Sequence, residues 1–312
     1  MNDVMPEGEA IRLFTVPITP DFATAAASIL QRFREHADDS LRLKDPEAFE
    51  QNTNSPFRRE NAELDALSEP LRGERHNLHG LLLETACLTK DNALDHVRAL
   101  EHDLLMQPPP VWSPLTLSRV VMEGVLFSEY LLDSTIPLNR RLARLAGVWR
   151  TDAVYARKQA EAHGQAPAEA GQMLAYVDDA LQRCQAKERH NAKGKLIGYS
   201  FGSEPAPLDI NITERATVAM PDWLPAPYRL TSGAAHNRPW MIGRARDLAG
   251  EEGLAGEAAT VMAAVMVSMG AIETVVRVFG EYFGADVSQA LQMMEEQREE
   301  FLYEAIAIAH RR

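Results

Sequence analysis

Apolar residues recur at helical spacing along most of the chain. Thr19-Pro20-Asp21 places a capping hydroxyl before a proline, a helix-start signal. Ile29, Leu30 and Phe33 carry that helix to about Ala37. Residues 38–54 are polar and predict a loop, and Ser55-Pro56 repeats the start signal. From His76 to Leu105, Leu78, Leu82 and Ala86 mark an apolar helical face, with a break expected near Asp91. Ser113-Pro114 opens a helix to about Leu132, Pro137-Leu138-Asn139 leads into one ending near His163, and Pro167 opens another ending near Asn191. At the end, Val261, Val265, Met269, Ile272, Val276 and Phe279 predict a helix over 255–283 whose first half is apolar all round, the mark of an enclosed element. Asp286 is placed to cap a last helix. Its stripe is Val287, Leu291, Met294, Phe301 and Ile308, and Glu295, Glu296, Glu299 and Glu300 point outward.

Two stretches depart from this period. Lys195 to Phe201 and Leu208 to Ile212 carry β-branched and aromatic residues with glycine and proline between them, which predicts a β-hairpin near residues 195–212. Pro108-Pro109-Pro110 removes three successive donors and holds the chain extended. It predicts a boundary between an N-terminal helical region, 19–107 behind a tail of 1–18, and a helical bundle over 111–312. The sum is an all-α bundle with one small β-hairpin insertion. Alternating βα units are absent, which argues against Rossmann and barrel folds.

Composition narrows the function classes. The 312 residues carry 32 Lys and Arg against 45 Asp and Glu, a formal charge of −13, with 46% hydrophobic and 25% charged residues. That is the profile of a globular protein, and it excludes a disordered chain, a collagen-like chain and a disulfide scaffold. It also argues against a broadly basic nucleic-acid coat, which needs a positive surface. Cys87 and Cys184 form no C-x-x-C pair, so two reduced thiols in a cytoplasmic protein are expected. The acidic start, Met1 to Glu7, has no apolar segment of the kind a signal peptide needs. The apolar run Ala258 to Ile272 falls short of a membrane span, so a buried helix and no membrane partner are expected.

Several residue groups are candidates for chemistry. Gly198-Tyr199-Ser200-Phe201-Gly202 matches the G-x-S-x-G elbow of hydrolases, but a proline-rich loop follows where that motif needs a helix. The match therefore reads as a glycine-flexed hairpin. None of the nine histidines follows a glutamate by three positions, so the Glu-x-x-His pairs of di-iron bundles are missing. His76 and His79 share a helical face but are too few for a metal and are expected in solvent. No metal or other cofactor is expected. Arg119 and Glu123, four apart, can pair along one helix face. Tyr228, Ser232 and His236 fall at steps of four and share a ridge if helical, where an imidazole can give or take a proton near neutral pH. Arg140, Arg141, Arg144, Arg150, Arg157 and Lys158 form a basic stretch interleaved by Trp149 and Tyr155. Such a stretch can grip phosphate and stack bases or simply balance the glutamates of the last helix.

The helical context, Arg119-x-x-x-Glu123 and Ser232-x-x-x-His236 together resemble all-helical actinobacterial proteins similar to the HEPN superfamily, over roughly residues 113–310. In active members an R-x4–6-H motif cuts RNA without a metal. The resemblance implies that Arg229 steadies a phosphate and His236 moves protons at the ribose hydroxyl. Ser232 and Tyr228 would be hydrogen-bond partners, Arg119 and Glu123 would line the cleft, and Arg144 would be a further substrate contact. The same spacing also fits Arg72 with His79, Arg157 with His163 and Arg183 with His190. RNA or a nucleotide is the expected partner. Two other readings stand beside it. One is a non-catalytic interaction module, a homodimer joined through the last two helices with Met262, Met266 and Met269 as a soft stripe. The other is a small-molecule enzyme with a pocket near Trp223, Trp240 and His236.

Overall fold

A computed structural model describes residues 18–41, 54–224, 227–236 and 255–310. Two of the hydroxyl–proline start signals act as caps, while the Ser113 hydroxyl donates instead to Asp103. Thr19 caps α1 (Pro20–Ser40) by accepting from the Phe22 N–H, and Ser55 caps α2 (Pro56–Asp65) by accepting from the Arg58 N–H. Helix α1 runs three residues past Ala37, and the rest of the expected loop lies largely outside the described residues.

Helix α3 (Leu71–Leu104) is continuous through Asp91, where a break was expected. Its buried stripe passes the polar triplet Lys90-Asp91-Asn92 without interruption, from Ala86 to Ala93, Leu94 and Val97. Lys90 reaches along the helix to the exposed Asp91 carboxylate, so the local polarity is met on the surface. At about 1.5 Å per residue the 34-residue helix is roughly 50 Å long. The triple proline then turns the chain into α4 (Ser113–Leu132), which returns antiparallel to α3. Thr89 meets Ser128 at 2.8 Å, and a Cβ on Gly124 would touch Ala93, so the two backbones lie close.

Helices α1, α3, α4 and α10 (Ala255–Phe283) form a closed ring, each packed on the next and α10 back on α1. Leu30, Phe33, Leu82, Val97, Leu126, Val265 and Phe279 are all buried in one contiguous core that includes residues on both sides of the triple proline. Within α10, Thr260–Phe283 is long and apolar enough to cross a membrane by length and composition, but most of it is buried inside the bundle. Met262 and Met266 are half-buried and Met269 fully buried against the same core. Helix α11 (Ser288–His310) lies on α1. Asp286 accepts from the Ser288 N–H at 3.0 Å, and Glu295, Glu296, Glu299 and Glu300 are exposed.

A second layer forms around α5 (Leu138–Ala162). The expected helix from Pro167 to Asn191 is instead a single turn, α6 (Pro167–Ala170), followed by α7 (Gln172–Arg183). Its last residues are strand β1 (Lys187–His190), paired antiparallel with β2 (Leu196–Phe201), which pairs with β3 (Glu204–Pro207). The insertion is therefore a three-stranded sheet, and the expected strand at 208–212 is loop leading into α8 (Ile212–Ala219). Lys187 to His190 carries no alternation that marks a strand, and Leu208 and Ile210 are apolar without being paired; tertiary pairing decides such short runs. Both glycines of the G-x-S-x-G match are architectural. A Cβ at Gly198 would collide with the Ala206 carbonyl, and Gly202 sits at φ +57 in the turn between β2 and β3. Gly147 does the same for α5, letting that helix rest directly on the backbone of Pro207 and Leu208.

Candidate functional site

Helix α9 (Pro227–Ala235) leans on α4 and brings four of the singled-out residues together. Proline at the first position starts it, and the buried Thr231 bonds back to the Pro227 carbonyl at 3.3 Å. Tyr228 and Ser232, one turn apart, then face α4. From α4, Arg119 donates through Nε to Glu123 Oε1 at 2.7 Å, through one terminal nitrogen to the Tyr228 hydroxyl at 3.2 Å, and through the other to Ser232 Oγ at 3.4 Å. Its guanidinium carbon lies 5.1 Å from the Tyr228 ring centroid, a cation–π contact. The Arg119 side chain is 13% exposed and that of Glu123 36%, so water reaches the carboxylate more easily than the guanidinium.

His236 follows directly after α9. Its N–H donates to the Ser232 carbonyl at 3.2 Å, so it continues the ridge by one turn, and the residue is exposed. Residue 229 lies within α9, but its side chain is outside the described residues. Trp240 lies outside them as well. Trp223 donates to Glu273 at 3.3 Å under the guanidinium of Arg298, whose carbon is 4.4 Å from a Trp223 ring centroid.

Arg144 belongs elsewhere. It is buried, with one nitrogen donating to the Tyr130 carbonyl at 2.6 Å and to Asp133 at 3.2 Å, and its guanidinium lies over the Tyr130 ring. Its neighbours in the basic stretch are also engaged: Arg141 with Glu60, Arg150 with Asp178, Arg157 with Glu161. Four of the six cations thus meet carboxylates within the fold. Arg140 and Lys158 are exposed, the latter 5.3 Å from the Tyr155 ring centroid.

The largest departure concerns His79, expected in solvent and found only 2% exposed. It belongs to a buried polar cluster drawn from four helices: Glu60 of α2, His79 of α3, Arg141 of α5 and Tyr282 of α10. The Tyr282 hydroxyl donates to Glu60 Oε2 at 2.7 Å, and His79 Nε2 lies 2.9 Å from that hydroxyl and 3.2 Å from the same carboxylate oxygen. Arg141, with 0% exposure, donates to the other Glu60 oxygen and to the carbonyls of Asp133 and Ile136. Burial pushes the His79 imidazole down to about 4 and the Arg141 guanidinium to about 10, while the Tyr282 phenol is raised. With Glu60 already compensated by Arg141 and Tyr282, the imidazole is neutral. The signal for this cluster was in the spacing. His79 keeps step with Leu82 and Ala86, and Arg141 with Leu138 and Leu145, each on the buried face of its helix.

His76 is half-buried and pairs with Asp65 at 3.0 Å. Cys184 is buried, its thiol directed at the Glu74 carbonyl and pushed up to about 11 by burial, which suppresses thiolate chemistry. Among the described residues, no group of three or more His, Cys, Asp or Glu is placed to hold a metal ion. No family model, curated protein or solved structure matches this chain.

Proposed function

We propose that the junction of α4 and α9 binds the phosphate of RNA or of a nucleotide, as the HEPN resemblance implies, with Arg119 as the anion-binding group. The observation that carries this reading is the setting of that guanidinium. It lies over the Tyr228 ring, donates to two hydroxyls, and its one carboxylate partner among the described residues is the part-exposed Glu123. A planar fork of donors suits a phosphate, and the incoming anion takes the place of the Glu123 carboxylate. His236, one turn further along the same ridge, carries the proton in cleavage. Arg229 steadies the reacting phosphate, a role that rests on the resemblance alone. The net charge of −13 opposes phosphate at long range, so recognition is local and weakens with salt.

Fluorescence anisotropy with a labelled mixed-sequence RNA and with a labelled mononucleotide tests the reading. Glu123→Gln removes the competing carboxylate and tightens binding about two- to fivefold, the worth of an exposed ion pair; Ser232→Ala weakens it. Unchanged affinity in Glu123→Gln, with only a small loss of stability, reduces the pair to a helix brace and ends the proposal. For cleavage, His236→Ala retains binding and stops degradation; equal degradation by both proteins removes the catalytic role.

A further inference from the structure

A second site lies apart from α9, between α7 and the sheet. A cavity of about 400 Å³ opens there, within the range of small-ligand sites. Asp178 and Asp179 of α7 and Glu188 of β1 supply its charge, and Leu181 and Ala186 its apolar wall. Tyr199 of β2 also lines it. That residue is only 2% exposed, yet no described group hydrogen-bonds its hydroxyl. The ring is enclosed, but the hydroxyl is not among the sealed orphan groups of the core, so it borders the cavity, where it can accept a hydrogen bond from a ligand.

The charges say which ligand. Asp178 is engaged by Arg150 at 2.9 Å, and Asp179 by Arg183, which also holds Glu74 at 2.9 Å. Among the described residues Glu188 pairs only with His190, at 3.3 Å, which balances it only when protonated. The cavity therefore holds one carboxylate without a permanent cation, in a chain of net charge −13. A metal ion is a poor fit, because no three carboxylates converge to hold it. An alkylammonium group is a good one. It brings three donors for Glu188, Asp179 and the Tyr199 oxygen, and its methylenes lie on Leu181 and Ala186. We propose that this cavity binds a small aliphatic amine, with Glu188 as counter-ion and Tyr199 as hydrogen-bond acceptor.

Titration calorimetry of the full chain with putrescine, at low ionic strength, tests this. The expected result is saturable binding that weakens about tenfold in Tyr199→Phe, the scale of a hydrogen bond to a charged group, and about threefold in Glu188→Gln. Tyr199→Phe keeps the buried ring, and Glu188 is half-exposed on an outer strand, so the second variant decides the question if the first is unstable. Absence of saturable heat overturns the proposal. So does an affinity unchanged in Glu188→Gln, or a signal reproduced by sodium chloride at equal ionic strength.

Discussion

Replacing Arg141 by methionine tests the buried cluster most directly. Methionine fills the space of the arginine stem but removes the cation, and Glu60, whose side chain is 5% exposed, is left charged in the core. Removing one partner of a buried ion pair costs about 3–5 kcal/mol, because the remaining charge keeps its desolvation penalty. For 312 residues, at about 2.1 cal/mol/K each, the unfolding entropy is about 0.65 kcal/mol/K, so a loss of about 4 kcal/mol lowers Tm by about 6 °C. The informative comparison is with the double variant Glu60→Leu/Arg141→Met, which removes both charges and leaves Tyr282 and His79 to each other. It should recover to within about 1 kcal/mol of the parent. Calorimetric melting of the four proteins completes the cycle. A single variant that loses less than about 1 kcal/mol, or a double variant as unstable as the two singles combined, would refute the argument that the two charges compensate each other out of water.

The same cluster sets an acid response. The His79 imidazole sits near 4 in the fold against about 6.5 unfolded, so the unfolded chain binds the extra proton between those values. Stability is therefore full above about pH 6.5 and falls by up to about 3 kcal/mol as pH drops towards 4. Urea midpoints across that window should show a shallower slope for His79→Leu than for the parent; identical slopes would dismiss His79 as the cause. At the contact between α5 and the sheet, Gly147→Ala forces a methyl into the Pro207 and Leu208 backbone and should cost about 2–3 kcal/mol by denaturant melting. Asp91→Pro should lower helical circular dichroism and cost about 3 kcal/mol or more, because α3 is unbroken there; a neutral outcome would restore the expected break.

The long helices were legible because their apolar stripes repeat over many turns, and α1 and α2 also start at hydroxyl–proline caps. Ser113–Leu132 and Ala255–Phe283 lie where the pattern places them. The sheet was less legible. Lys187 to His190 has no apolar alternation, and only its partner β2 makes it a strand. At the candidate site, steps of four were enough to align Tyr228, Ser232 and His236 and to pair Arg119 with Glu123. What they could not supply was the packing of α9 on α4. The buried cluster escaped because a charged residue on an apolar face reads as an exception until its partner, far along the chain, is known.

Helix α2 has a particular dependence on the rest of the molecule. Its Glu60 reaches His79, Arg141 and Tyr282 across 19, 81 and 222 positions of sequence. A carboxylate cannot leave water before its counter-charge is assembled, and contacts so distant along the chain close slowly. The docking of α2 therefore depends on the arrival of Arg141, and Tyr282 of α10 completes the cluster. A ribosome-bound fragment ending before α10 lacks the phenol that completes the latch, and should expose this short helix to protease.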